Sequence, residues 1–477
     1  MSLVAGLALL AAMPQVAVTG GTVAGSEAAG GGAVIFRGIP YAGSPAGANR
    51  WRAPRPVAAW KGVRKDDPNA PACPQNDAGW NHDSAATASE DCLTLDVRTP
   101  GLAGKRPVMV WIHGGSNFAG SARGTVQSRI TDQGVVLVAV QYRLGMLGWL
   151  APRGAAAEAD GHAGNYGLMD QIAALRWIRA NIARFGGDPA AVTVFGESAG
   201  SQDVSLLLAA PAARGLFARA IMESGTPGFG MPPRSLASAF ALGDQAAALL
   251  GGSLAEMRRR PVAELLAADR KLRDPSSIGD DFRWLRSLVD GAALPKAPRD
   301  LLASAPRRPV IIGSNRAEFG PKAGEVDWEK DLPRAFGAQA AVARDFYRTS
   351  DERLGIPEMQ YWTDWIFRCP SGRLADLLSS RGAPVWRYEF DLARGGGMTS
   401  HNAELAYVFD RLRFGDPAVS LQDYWINFVR TGDPNGAGLP GWPRYDAAAK
   451  RHILFDKRGV TQDARLRTTI CTYLEAL

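Results

Sequence analysis

The stretch AVTVFGESAG, running from Ala191 to Gly200, decides how this chain is read. Its first half is short, apolar and rich in β-branched residues, the pattern of a buried strand. Its second half, Gly196-Glu197-Ser198-Ala199-Gly200, is a G-x-S-x-G placed directly after that strand. A serine in a sharp strand-to-helix turn needs small residues on both sides, because bulky ones collide with the adjoining strand and helix. Such a turn pushes Oγ out at the carboxyl end of the sheet, where open α/β folds place their sites. A helix beginning near Ala199 would aim its positive end at the same spot. Ser198 is therefore the candidate nucleophile, set against the plainer reading of a structural glycine turn.

Outward from this stretch the same grammar repeats. RPVMVWI (106–112) and GVVLVAVQY (134–142) read as buried strands, as do AIM (220–222) and PVII (309–312). Between them, 165–185 has helical periodicity, with Leu168, Ile172, Leu175, Ile178 and Ile182 on one stripe. Near the start, VAVT and TVA turn at Gly20-Gly21 as a hairpin, and FRGIPYA from Phe36 reads as a strand stopped by proline. Apolar strands alternating with amphipathic helices predict an α/β fold with a mainly parallel, doubly wound sheet flanked by helices. Two stretches rich in Ala, Leu and Arg, about 234–305 and about 328–385, predict helical excursions that form walls and lid over the site.

HGGSNFAG follows the strand RPVMVWI, and its flexible backbone can present N–H groups to a developing oxyanion. A serine also needs a base, and the chain has five histidines. His113 opens the glycine-rich turn, His82 lies between Cys73 and Cys92, His162 sits in a Gly/Ala/Asp loop, and His452 is in the strand-like RHILF. His401 remains, after a glycine-rich loop and downstream of a plausible acid, in the chain order serine, acid, histidine. Glu318 in GSNRAEFG stands just past the strand PVII, where it could hold the imidazole tautomer. On spacing alone Asp290 in LVDG is the alternative acid.

The chain has 477 residues, 46% of them hydrophobic, and no linker-like tract or repeat divides it. The expectation is one continuous domain over 14–477. The apolar run Leu3 to Ala12 is too short to span a bilayer and resembles the core of a signal peptide over 1–13. No basic residue precedes that run and no A-x-A follows it, so an apolar first strand competes with this reading. With no other long apolar stretch, stable membrane insertion is not expected. Cys73, Cys92, Cys369 and Cys471 form no C-x-x-C pair, which argues against zinc, and their even number suits two disulfides in an exported chain. The net charge of +7, with a run at Arg258–Arg260, reads as a solvated surface or a bias toward anionic substrates. No nucleic-acid-binding motif accompanies it.

Longer blocks carry a resemblance. FRGIPYAGSPAGANRW, SEDCLTLDV, VMVWIHGGS, VAVQYRLGMLGWL, GNYGLMDQIAALRWIRANIARFGGDPAAVTVFGESAG, AIMESG, LVDGAALP, IIGSNRAEFG, HNAELAYVF, YWINFVRTGDPNG and LPGWPRYD occur in this order along nearly the whole chain. In this the chain resembles the type-B carboxylesterases, the family that includes bacterial carboxylesterases and the cholinesterases. The resemblance implies an α/β-hydrolase fold and a serine esterase that cleaves carboxylic esters through an acyl-serine. Its partners would be a small ester and water, with no metal or cofactor. It implies a catalytic triad of Ser198, Glu318 and His401, with Glu197 and Ser224 in support. The oxyanion donors would be the N–H groups of Gly115, Ser116 and Ala199. It implies the disulfides Cys73–Cys92 and Cys369–Cys471, core ion pairs Arg143–Asp170 and Arg50–Glu90, a monomer or homodimer, and a secreted or periplasmic setting.

The chain departs from the family pattern at four places. Ser116 stands for the third glycine of the turn, Asn117 for the usual aromatic, Phe319 is inserted after the acid, and Gly200-Ser201 replaces Gly-Gly. Asn117, Phe118 and Trp80 are candidate pocket residues. A hydroxyl and an amide beside the scissile bond predict a preference for polar or carboxylate-bearing acyl groups. Choline esters fit less well, since a basic protein repels cations at long range. A rival reading from another class is a non-catalytic adhesion protein of the same fold; such a relative loses the nucleophile, which this chain keeps.

Overall fold

The computed structural model describes residues 13–277, 282–319, 327–349, 354–393 and 397–474. Apart from Met13, the run read as a signal peptide lies outside the described residues.

The strand ending at Glu197 sits in the middle of an eleven-stranded sheet among the described residues. From one edge the order is Gly459–Ala464, Arg451–Asp456, Val385–Asp391, Val310–Asn315, Arg219–Glu223, Gly187–Glu197, Arg106–Ile112, Val136–Val140, Thr94–Thr99, Val34–Pro40 and Ser26–Glu27. Every pairing from Arg451–Asp456 through to Val136–Val140 is parallel, and the flanking pairings are antiparallel. The expected parallel α/β sheet is thus present, with antiparallel edges.

Side-chain alternation explains why the central strands read as unbroken apolar runs. Val108, Val110 and Ile112 enter one core layer, while Met109 and Trp111 enter the other. In the next strand Val136, Val138 and Val140 oppose Leu137 and Ala139 in the same way. Helices Tyr166–Asn181 and Ala199–Ala209 cover the first layer, and Leu421–Thr431 covers the second. A sheet covered on both faces has no polar face to display. The N-terminal hairpin is also as expected, with Gln15–Val18 antiparallel to Gly21–Ala24.

The first excursion holds helices Leu236–Leu250, Leu254–Arg259, Val262–Asp269 and Pro298–Ala303. The second holds Trp328–Phe336, Ala340–Thr349, Pro357–Trp362 and Cys369–Ser380. Its aromatics Trp328, Phe336, Tyr347, Tyr361, Trp365 and Phe367 form a core cluster that includes Ala199, so this excursion packs down onto the turn after Ser198. Arg143 and Asp170 pair at 2.7 Å in the interior, and Arg50 and Glu90 at 2.6 Å. Disulfides join Cys73 to Cys92 and Cys369 to Cys471.

Candidate active site

Ser198 has φ 56° and ψ −124°, between the end of its strand and the start of helix Ala199–Ala209. Its N–H donates to the Glu223 carbonyl at 2.8 Å, and its carbonyl accepts from Gln202 N at 2.9 Å. The small neighbours are required by close approach. A Cβ on Gly200 would lie 2.0 Å from the Ile112 carbonyl oxygen, and one on Gly196 would lie 2.7 Å from the same atom. This is the turn that the sequence predicts, and the serine is buried within it.

The glycine-rich turn stands against it. A Cβ on Gly114 would lie 2.7 Å from the Glu197 carbonyl and 3.2 Å from Ser198 Cβ. Gly115, Ser116 and Asn117 then take φ of 105°, 54° and 58° in succession. The Gly115 carbonyl accepts from Phe118 and Ala119, closing the turn, while the Gly115 and Ser116 N–H groups make no backbone hydrogen bond among the described residues. Ala199 opens its helix, so its N–H is one of the orphan donors of the helix start.

His401 and Glu318 meet beside the elbow. His401 Nδ1 lies 2.7 Å from Glu318 Oε2; a carboxylate only accepts, so Nδ1 carries the hydrogen. Glu318 Oε1 accepts from Ser224 Oγ at 2.6 Å and Asn315 N at 2.7 Å, and Glu318 N donates to Thr363 Oγ1 at 3.1 Å. The other ring nitrogen, Nε2, comes within 3.0 Å of Glu197 Oε1. Burial works against a proton on this imidazole. The Glu197 and Glu318 carboxylates outweigh it and lift the group to about 10. Phe319, the inserted residue, lays its ring 4.0 Å from that of His401, with Phe367 at 5.1 Å on the same imidazole. Asp290 is spent elsewhere: its carboxylate accepts from the N–H groups of Ala292, Ala293 and Leu294.

The candidate pocket residues separate. Trp80 is 64% exposed and its ring edge lies over Gly115, 3.1 Å from where a Cβ would stand. Phe118 packs partly buried against the interior. Asn117 corrects the sequence expectation. It is fully buried, and its amide points inward, donating from Nδ2 to Asp203 Oδ1 at 3.0 Å. The left-handed φ turns the side chain away from the turn's open face, so no amide stands beside the scissile bond. Only Ser116, partly exposed, keeps a polar side chain in the turn.

Two buried acids that the sequence alone does not single out stand near the imidazole. Glu404, three residues past His401 and just before helix Leu405–Phe409, accepts from Asn315 Nδ2 at 2.7 Å. Burial, with the Glu197 and Glu318 charges added, raises it to about 8. Glu223 accepts from Trp425 Nε1 at 2.6 Å, and burial, with Glu404 beside it, drives it well above the carboxylate range. Both acids stand in blocks quoted above, HNAELAYVF and AIMESG; the available signal was an acid inside an apolar run. His113 is neutral in function, since burial lowers it to about 4. Among the described residues no His/Cys/Asp/Glu group could hold a metal ion, and no helix is long and apolar enough to cross a membrane.

Comparison with known proteins gives concordant results. A family model described as the carboxylesterase family matches residues 12–474. The chain is 34% identical to a human cocaine esterase, with 89% of this chain and 84% of the relative covered. It is 33% identical to a fumonisin B1 esterase of Sphingopyxis macrogoltabida, covering 89% and 83%. A solved PNB esterase superposes with TM-score 0.82 at 31% identity, over 97% of this chain and 99% of that one.

Proposed function

The chain belongs to the carboxylesterase family and is a carboxylic-ester hydrolase, and from that premise we propose that Ser198, His401 and Glu318 carry its reaction. Ser198 Oγ attacks the ester carbonyl while His401 Nε2 takes its proton. The oxyanion is held by the N–H groups of Gly115, Ser116 and Ala199. His401 then gives the proton to the departing alcohol, leaving an acyl-serine. Water, activated by the same nitrogen, attacks the acyl carbon and releases the acid. Glu318 holds the Nδ1–H tautomer and stabilises the imidazolium.

One observation carries this reading: the 2.7 Å contact of His401 Nδ1 with Glu318, while Nε2 faces Glu197, the residue before Ser198. Ser198→Ala and His401→Ala are each expected to cut turnover of a nitrophenyl ester by roughly four to six orders of magnitude. Near-parental turnover in either variant removes the triad.

The proposal includes a preference for polar or anionic acyl groups. The Ser116 hydroxyl and the net charge of +7 support that preference, whereas Asn117, turned inward onto Asp203, does not. We place the protein outside the cytosol, with which its two disulfides are consistent.

A further inference from the structure

Asp203 lies on helix Ala199–Ala209, fully buried, with no cationic side chain paired to it among the described residues. All its partners are neutral amides. Oδ1 accepts from Asn117 Nδ2 at 3.0 Å and, more distantly, from Gln202 Nε2 at 3.5 Å. Oδ2 accepts from Gln171 Nε2 at 2.5 Å. A carboxylate placed in this way is costly: burial pushes Asp203 up to about 7 against those donors. The core does not need such a group, and no step of the hydrolysis described above uses it.

Its position suggests a use. Asn117 follows two residues that are themselves at left-handed φ, a conformation that non-glycine residues hold only under constraint. The constraints on Asn117 are its carbonyl, which accepts from Gly145 N at 2.7 Å, and its amide, whose Nδ2 donates to Asp203 while Oδ1 accepts a longer bond from Tyr142 Oη at 3.4 Å. Asp203 in turn belongs to the helix whose first N–H is that of Ala199. One buried carboxylate therefore ties the loop that carries two oxyanion donors to the helix that carries the third. We propose that Asp203 is a positioning residue for ester hydrolysis: through Asn117 it fixes the Gly115 and Ser116 N–H groups relative to that of Ala199. This rests on the reading of the turn as an oxyanion site, where donor placement decides most of the benefit.

The experiment compares an ester with its thionoester, whose sulfur is larger and a poorer acceptor, so only a well-placed set of donors discriminates between them. The parent enzyme is expected to favour the oxygen ester by about 100-fold in kcat. In Asp203→Asn, kcat for the oxygen ester should fall about tenfold or more with KM within about twofold, and the oxygen-to-sulfur ratio should collapse. Asn117→Gly keeps the left-handed backbone, removes the amide and should give the same collapse; it carries the comparison if Asp203→Asn does not fold. The double variant should be no worse than either single one. A high ratio that both variants retain overturns the role of Asp203 and leaves the oxyanion reading standing. A parent ratio near one overturns the oxyanion reading itself, and the positioning role with it.

Discussion

His401 sits between two carboxylates, and its proton affinity governs when it can act. A general base must be neutral before it accepts the serine's proton, so a raised imidazole moves the rising limb of kcat/KM toward alkaline pH. Replacing Glu197 by Gln removes one of the two charges that lift it. The limb should then move acidward by about one pH unit or more in a pH–rate profile; an unmoved limb would exclude Glu197 from this role. Ser116 carries a separate expectation. With its hydroxyl partly exposed in the turn, Ser116→Gly should bring kcat/KM for matched polar and alkyl esters closer together, by roughly tenfold if one hydrogen bond is lost. The same scale marks where sequence reading failed. Asn117 was legible as a departure from the family but not as a buried residue, because its direction depends on a φ of 58° that no motif encodes. Its partner, Asp203, is three residues from a run of leucines, and nothing in the sequence announces that pairing.

Elements were legible in proportion to how apolar they are. Arg106–Ile112, Val136–Val140 and the strand before Ser198 were read directly, since both faces of each are buried. Thr94–Thr99 and Val385–Asp391 were not, although both are interior strands of the sheet. Each buries charge where alternation predicts carbon. Arg98 donates to Thr131 Oγ1 at 2.8 Å, and Arg387 is buried with Nη2 on the Arg368 carbonyl at 3.2 Å. The second excursion, read to about residue 385, does end there: its last helix stops at Ser380 and a strand starts at Val385. The elbow itself makes a prediction at this scale. Gly200→Ala puts a methyl 2.0 Å from the Ile112 carbonyl, so strand and helix must separate. Urea denaturation should register a loss of about 2–3 kcal/mol, with kcat falling as well; an unchanged midpoint would contradict the packing described.

Across the whole molecule the family blocks made the fold and the Ser198, Glu318 and His401 assignment legible, while the buried acids around His401 emerged only from packing. The Cys73–Cys92 segment reaches the site from a distance in the chain: Gln75 donates to the Gly120 carbonyl at 2.8 Å and accepts from Gly120 N at 2.8 Å, bracing the end of the glycine-rich turn. Opening that loop with paired Cys73→Ser and Cys92→Ser changes should cost about 3 kcal/mol of stability by denaturant titration and lower kcat more than KM; unaltered kinetics would leave the segment a purely structural brace. The acids have a consequence at the end of the catalytic cycle. Each turnover converts an uncharged ester group into an anion, and does so against Glu197 with Glu318 behind the imidazole. His401, raised to about 10 between those two carboxylates, offsets one of their charges, so a single net negative charge faces the product and a free carboxylate should inhibit less well than its parent ester binds.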